Sequence, residues 1–144
     1  MDISLKQLHD SDFNLWVEEM KVKIQNRDFD GMDWESLFDE IDDMGASQKR
    51  ALDSYIERLI EHILKLKYWQ SEVARCRNGW MAEVSNFRSR INRILKKNPS
   101  LQNYLASEYS DIYQDATKTM KLLFEMPENN FVNLETIMQD NYFG

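Results

Sequence analysis

Four glycines and two prolines in 144 residues leave little turn material, which argues against a sheet protein with many reversals. A single cysteine, Cys76, excludes an internal disulfide and makes a reducing cytosol the natural setting. No apolar run approaches the ~18 residues of a membrane span. The first residues, MDISLKQLHDSDF, lack the basic and apolar regions of a signal peptide. A cytoplasmic protein without a membrane role is therefore expected. What is present is the balance of a soluble globular chain, 42% hydrophobic and 30% charged. The length suits one domain spanning 1–144, large enough to bury roughly 68–70% of the surface its unfolded chain exposes.

The net charge is −7, which repels phosphate backbones and favours basic partners. Its distribution is uneven. Seven bases and one acid, Glu83, lie between Arg75 and Lys97, so that segment is +6 and the remainder −13. A solvated helical face, or one paired with acidic helices, explains such a segment. Binding nucleic acid through Arg88, Arg90, Arg93 and Lys97 requires that face to overcome the overall repulsion.

Apolar residues recur at three- and four-residue steps almost throughout, and no run alternates as a strand does. Phe13, Trp16, Val17, Met20 and Ile24 mark a first helix, capped by Asp10 or Ser11 and ending before Gly31. Asp33 caps a second, with Trp34, Leu37, Ile41 and Met44 on one face and Gly45 as its left-handed stop. Ser47 caps a third, striped by Leu52, Tyr55, Ile56, Leu59, Ile63 and Leu66 as far as about Trp69. The link Gln70 to Gly79 is polar. A fourth stripe, Trp80, Val84, Phe87, Ile91, Ile94 and Leu95, must stop near Asn98 because Pro99 follows. Ser100 caps a fifth, running from Leu101 through Leu123 until Pro127 closes it. Asn133 caps a last short helix through Met138. The expected fold is all-α: a mostly antiparallel bundle of about five long helices plus a short C-terminal one.

A helical wheel turned about 100° per residue places Glu40, Asp43, Arg58 and His62 at the borders of the second and third stripes. Packed as a hairpin, those helices would share a seam lined by these four residues. Such a seam is either a network fixing the packing or a site, with Glu40 and His62 as acid and base and Glu40, Asp43 and His62 as metal ligands. Sharper templates fail on spacing. His62 has Leu59 three residues before it, not the Glu of a di-iron bundle. His9 stands apart, so zinc-protease geometry is absent. Glu40-Ile41-Asp42-Asp43 supplies one half of a nucleotide pyrophosphohydrolase motif, and no clear first half precedes it. No cofactor is implied.

The segment LFDEIDDMG, then Ser47 and Lys49-Arg50, then His62 to Lys65, resembles domain of unknown function family 29, common in cyanobacteria. Trp80, Arg88, Ile91, Asn98 to Leu101, Tyr113, Ala116 and the closing Leu134 to Met138 extend the likeness over about 12–140. Departures are Asp39 and Asp42-Asp43, where the family more often has Glu and a mixed pair, and a missing proline after Gln70. The resemblance implies an all-helical bundle in a cytoplasmic bacterial protein. It implies no activity, and directs attention to Glu40, His62, Lys65, Trp80 and Arg88.

With Asp43 and Arg58 these form the expected binding set. The acidic charge, small size and incomplete catalytic sets favour a non-enzymatic protein-interaction module, an adaptor or antitoxin-like inhibitor with a protein partner. Self-association is open, since Trp and Tyr can anchor an interface. The alternatives are a metal-dependent hydrolase of a nucleotide or phosphate ester using Glu40, Asp43 and His62, and nucleic-acid binding by the basic fourth helix.

Overall fold

The computed structural model describes residues 3–144. The order is α1 (Leu5–Ser11), α2 (Phe13–Gln25), α3 (Trp34–Tyr68), α4 (Gln70–Lys97), α5 (Leu101–Met120) and α6 (Leu134–Ile137). The protein is all-α, with no strand among the described residues. It forms two compact units, Met1–Ser47 and Gln48–Gly144, and α3 runs from the first into the second.

Several ends obey local chemistry. The backbone N–H of Ser36 donates to Asp33 Oδ1 at 3.2 Å, the expected cap of α3. Asn133 accepts from the Thr136 N–H at 2.8 Å and starts α6. The cap of α2 is Asp12, accepting from the Leu15 N–H, rather than Asp10 or Ser11, because α1 already occupies those positions. Ser100 precedes α5 without a side-chain capping bond.

The larger departure is at Gly45, which does not end a helix. It lies inside the 35 residues of α3, and Ser47 caps nothing. Glycine permits a left-handed stop but does not impose one. No proline follows, and Ala46, Gln48, Lys49, Arg50 and Ala51 are strong helix formers. The polar stretch from Gln70 is helical as well. Only Trp69, at φ −85 and ψ 71, interrupts the chain between α3 and α4. At the far end α5 stops at Met120, short of Pro127, and Leu123 is half exposed.

Unit Gln48–Gly144 holds the main core. Leu52, Ile56, Leu59, Ile60, Ile63 and Leu64 of α3 are fully buried. They cover an arc of about 140° at 100° per residue, wider than one packing partner needs. Two neighbours fill it: Val84, Phe87 and Ile91 of α4, and Leu105, Tyr109, Ile112 and Ala116 of α5. Trp69 stacks on Trp80 and Tyr55 lies by Phe87, so α4 runs antiparallel to α3. The Tyr104 hydroxyl donates to Asp53 at 2.9 Å, and Phe124 stacks on Trp69, so α5 runs parallel to α3. Each fully buried Leu or Ile contributes about 1.5–3 kcal/mol.

In unit Met1–Ser47, α1 and α2 pack on each other, and Trp16, Met20 and Met32 form a smaller core with Leu5, Leu8, Val17 and Leu37 at its edge. Only Leu37 of the expected second stripe contributes. Trp34, Ile41 and Met44 are 54%, 59% and 67% exposed.

A β-carbon added at Gly45 meets no atom within 4 Å. Gly45→Ala should therefore raise stability by about 0.5–1 kcal/mol in urea unfolding, since it removes unfolded-state freedom at a helical position. A hairpin stop at Gly45 would give a loss instead.

Candidate functional site

The continuity of α3 separates residues that the hairpin reading put in one seam. Glu40 and Asp43 belong to unit Met1–Ser47, and Arg58 and His62 to unit Gln48–Gly144. One helix presents no seam between antiparallel halves of itself, so the Glu40/Asp43/His62 acid–base or metal set loses the geometry that motivated it. Among the described residues no group of three or more His, Cys, Asp or Glu gathers as metal ligands do.

In the second unit His62 lies on the α3–α4 face. Its Nδ1 is 2.8 Å from the Arg58 carbonyl oxygen, which only accepts, so Nδ1 carries the proton and Nε2 keeps its lone pair. The ring meets Phe87 edge-on at 5.3 Å. Burial holds the imidazole below its ordinary pKa of 6.5, against the opposing pull of the Arg58 carbonyl and Glu83. It is thus a neutral, packed side chain. Nearby, the Lys65 ammonium lies 5.9 Å from the Trp80 ring, and Trp80, Trp69 and Phe124 form a continuous stack. Arg58 is exposed. Lys65 and Trp80 clasp the α3–α4 turn.

Arg88 is only 2% exposed. Its Nε donates to the Ile137 carbonyl at 2.9 Å, Nη1 to that of Asp140 at 3.4 Å, and Nη2 to that of Tyr142. The guanidinium also lies 5.4 Å from the Phe143 ring. These carbonyls lie at the last residue of α6 and in the turn that follows it. Arg88 therefore ties the C-terminal turn to α4 and is not available to a ligand. Its signal was in the sequence: it falls between Val84 and Ile91 at helical spacing, in the middle of the apolar stripe. The basic face retains Arg93 and Lys97, exposed, and Arg90, which lies over Tyr55.

In the first unit the partner of Glu40 is His9, which is not isolated. His9 Nε2 is 2.6 Å from Glu40 Oε1, and Nδ1 is 3.1 Å from Asp10 Oδ1. Both nitrogens face carboxylates, so the imidazole is doubly protonated and its pKa is raised, first by the Glu40 bond and then by that of Asp10. Phe13 and Trp16 flank the ring. Lys6 pairs with Glu35 at 2.9 Å, and the Trp16 indole donates to Asp33 at 3.1 Å. Together these bonds dock α1 and α2 on the first turns of α3. A charged imidazole held between two carboxylates is a clamp and a poor general base.

That docking leaves one side of α3 bare. Trp34, Phe38 and Ile41 lie within about 60° on the helix wheel, and Met44 continues the stripe. Phe38 is 69% exposed. The Trp34 indole donates to the Phe29 carbonyl at 3.0 Å, and the two rings lie 6.4 Å apart, which fixes both in place. Asp42, Glu35 and Asp39 run along one flank of the stripe, at about 80–140° on the same wheel. Residues 1–47 carry 13 acids and four bases, a net −9, whereas 48–144 are +2. Three of the four bases, Lys6, Lys21 and Lys23, are already paired with carboxylates of the same unit.

The fold and these contacts define an all-helical protein whose most conspicuous polar groups serve packing. No described helix is long and apolar enough to cross a membrane. The family described as Domain of unknown function DUF29 matches residues 8–143, and the chain belongs to it. No curated protein and no solved structure matches the chain.

Replacing Arg88 by Met leaves three carbonyls without their donor and should lower stability by about 3 kcal/mol. Arg88→Lys cannot reach three acceptors in one plane and should recover only part of that. Faster amide exchange confined first to 137–143 would identify the clasp. The two histidines should titrate on opposite sides of 6.5 by NMR. Protonation of His9 is favoured by folding, so its contribution is complete below pH 6.5 and fades as pH rises through its raised pKa. His62 does the reverse, weakening the fold as pH falls below 6.5 toward its lowered pKa. His9→Gln should abolish the first dependence and leave the second.

Proposed function

We propose that the protein is a small acidic, cytoplasmic, non-enzymatic interaction module, acting as an adaptor or inhibitor, whose recognition surface is the bare face of α3. The observation that carries this reading is the run of Phe29, Trp34, Phe38, Ile41 and Met44, each about half exposed or more, inside a unit of net charge −9. Leaving such side chains in water forgoes roughly 1.5–3 kcal/mol for each that packing would bury. Contiguous apolar surface rimmed by charge marks association sites. Trp is a preferred interface anchor, and Met and Phe adapt to varied partners.

Charge complementarity selects the occupant, a basic amphipathic helix of another protein. Its apolar side would cover the stripe and its Lys and Arg would meet Asp39, Asp42 and Glu35. The neutral His62 and the buried Arg88 add no catalytic set to compete with this reading. A second copy of the chain is a poorer fit, because each copy would bring the same acidic rim to the contact.

Calorimetric titration with a panel of basic amphipathic 18-residue helices tests the proposal. At least one should bind the wild type, more weakly as salt screens the acidic rim. Phe38→Asp with Ile41→Asp should weaken it by about 100-fold or more, the effect of losing two anchors at 1.4 kcal/mol per decade. Both sites are exposed, so circular dichroism should be unchanged. Crosslinked partners from native lysate should be lost in the same variant. Equal binding to wild type and variant, equal binding of acidic helices, no binding at low salt, or dimerisation that buries Phe38 would each overturn it.

A further inference from the structure

A second feature, in unit Gln48–Gly144 and independent of the α3 face, is an open cleft of about 380 Å³ between the last turns of α5 and the loop that follows. Tyr113 and Thr117 of α5 and Lys121 at its C-cap follow one another at four-residue intervals, and the loop supplies Glu128, Asn130 and Phe131. The walls are fixed. The Tyr113 hydroxyl donates to the Asn130 carbonyl at 2.6 Å, and the Asn130 amide donates to that of Pro127 at 2.9 Å. Beside them the Tyr109 hydroxyl donates to the Val132 carbonyl at 2.6 Å. Burial pushes the Tyr113 phenol up to about 12, so it remains a donor at any ordinary pH. A loop pinned this way gives a cleft formed before any ligand arrives, as small-molecule sites usually are.

The lining combines one apolar surface with two cations. The Tyr113 and Phe131 rings lie 4.8 Å apart, and Phe131 keeps 53% of its surface exposed. Lys118 and Lys121 are exposed, and neither takes part in a salt bridge among the described residues. The Thr117 hydroxyl is buried and has no hydrogen-bond partner. Helical threonines usually return their hydroxyl to the carbonyl one turn back, as Thr119 does to Asp115 at 3.2 Å. Thr117 makes no such bond, and threonine in a helix has a second χ1 position through which the hydroxyl can reorient toward a ligand.

We propose that this cleft binds a small organic monocarboxylate with an aromatic or short alkyl body. The body lies on Phe131, whose ring is backed by that of Tyr113. The carboxylate meets the ammonium groups of Lys118 and Lys121 and accepts from the Thr117 hydroxyl. Glu128 repels additional negative charge, which selects monoanions over phosphates and dicarboxylates. The volume lies at the small end of ligand sites and fits roughly a dozen non-hydrogen atoms.

NMR titration of the full chain with 4-hydroxybenzoate, phenylacetate and octanoate tests this. 4-Hydroxybenzyl alcohol, 2-phenylethanol, 1-octanol and inorganic phosphate serve as counterparts. At least one carboxylate should bind saturably, shifting the amides of 117–121 and 131. The alcohol of the same body should bind about tenfold more weakly or worse, the scale of one charge-assisted bond. Lys118→Gln with Lys121→Gln should remove about a tenfold share of the affinity. Both lysines are exposed, so the melting curve should hold. Thr117→Val should weaken the carboxylate and spare the alcohol. No saturable shift up to about 10 mM, a concentration that would still reveal very weak binding, overturns the proposal. So do equal affinities for acid and alcohol, preference for phosphate, unchanged affinity in the double lysine variant, or shifts that map elsewhere.

Discussion

The unbroken backbone ladder of α3 is the constraint on which the rest depends. A helix carries its side chains at a fixed 100° per residue, so within each unit the positions that face its core follow from helical spacing. Its second half satisfies that geometry by burial on two sides, with Leu52, Ile56, Leu59, Ile60, Ile63 and Leu64 against α4 and α5. Within its own unit, its first half packs against α1 and α2. These use Leu37, Glu40, Glu35 and Asp33, and the stripe of Trp34, Phe38, Ile41 and Met44 is left over. The bare face is thus a consequence of a small local core.

The electrostatics follow the same division. In the second unit the buried cation is Arg88, and what neutralises its desolvation is a set of backbone carbonyls at and just past the end of α6. The charge of Asp140 adds a Coulombic attraction to those bonds. The remaining bases of α4 stay in water. In the first unit the acids so outnumber the bases that its ion pairs exhaust most of the cations. Glu40 recruits His9 in charged form, and Asp39, Asp42 and Asp43 stay exposed. Repulsion among them is tolerated because they point outward on a helix and salt screens them.

The fold class was legible from periodicity, and so were the core stripes of α3, α4 and α5 and the caps at Asp33 and Asn133. Each is a local signal: spacing reports burial, and a short polar side chain before an apolar run reports a helix start. The Gly45 stop was misread because glycine lowers the barrier to turning without supplying a reason to turn. That reason must come from partners the second half would fold onto. The seam of Glu40, Asp43, Arg58 and His62 fell with it, since it was inferred from the hairpin. The pairing of His9 with Glu40 spans 31 positions, beyond any local pattern. Arg88 was mistaken for surface charge although its place in the stripe of Val84, Phe87 and Ile91 marked it as buried. Residue type was given more weight there than position.

Where sequence and structure disagree most is informative in itself. A chain optimised only for stability would place polar residues at 34, 38, 41 and 44. Exposed apolar residues scattered singly need no explanation. Four at helical spacing on one face, with a fifth from the preceding loop held beside them by an indole bond to the backbone, form a pattern that folding of this chain alone does not use. The sharpest local rule broken in the other unit, the unpartnered Thr117 hydroxyl, likewise lies in the lining of a cleft and not in the core.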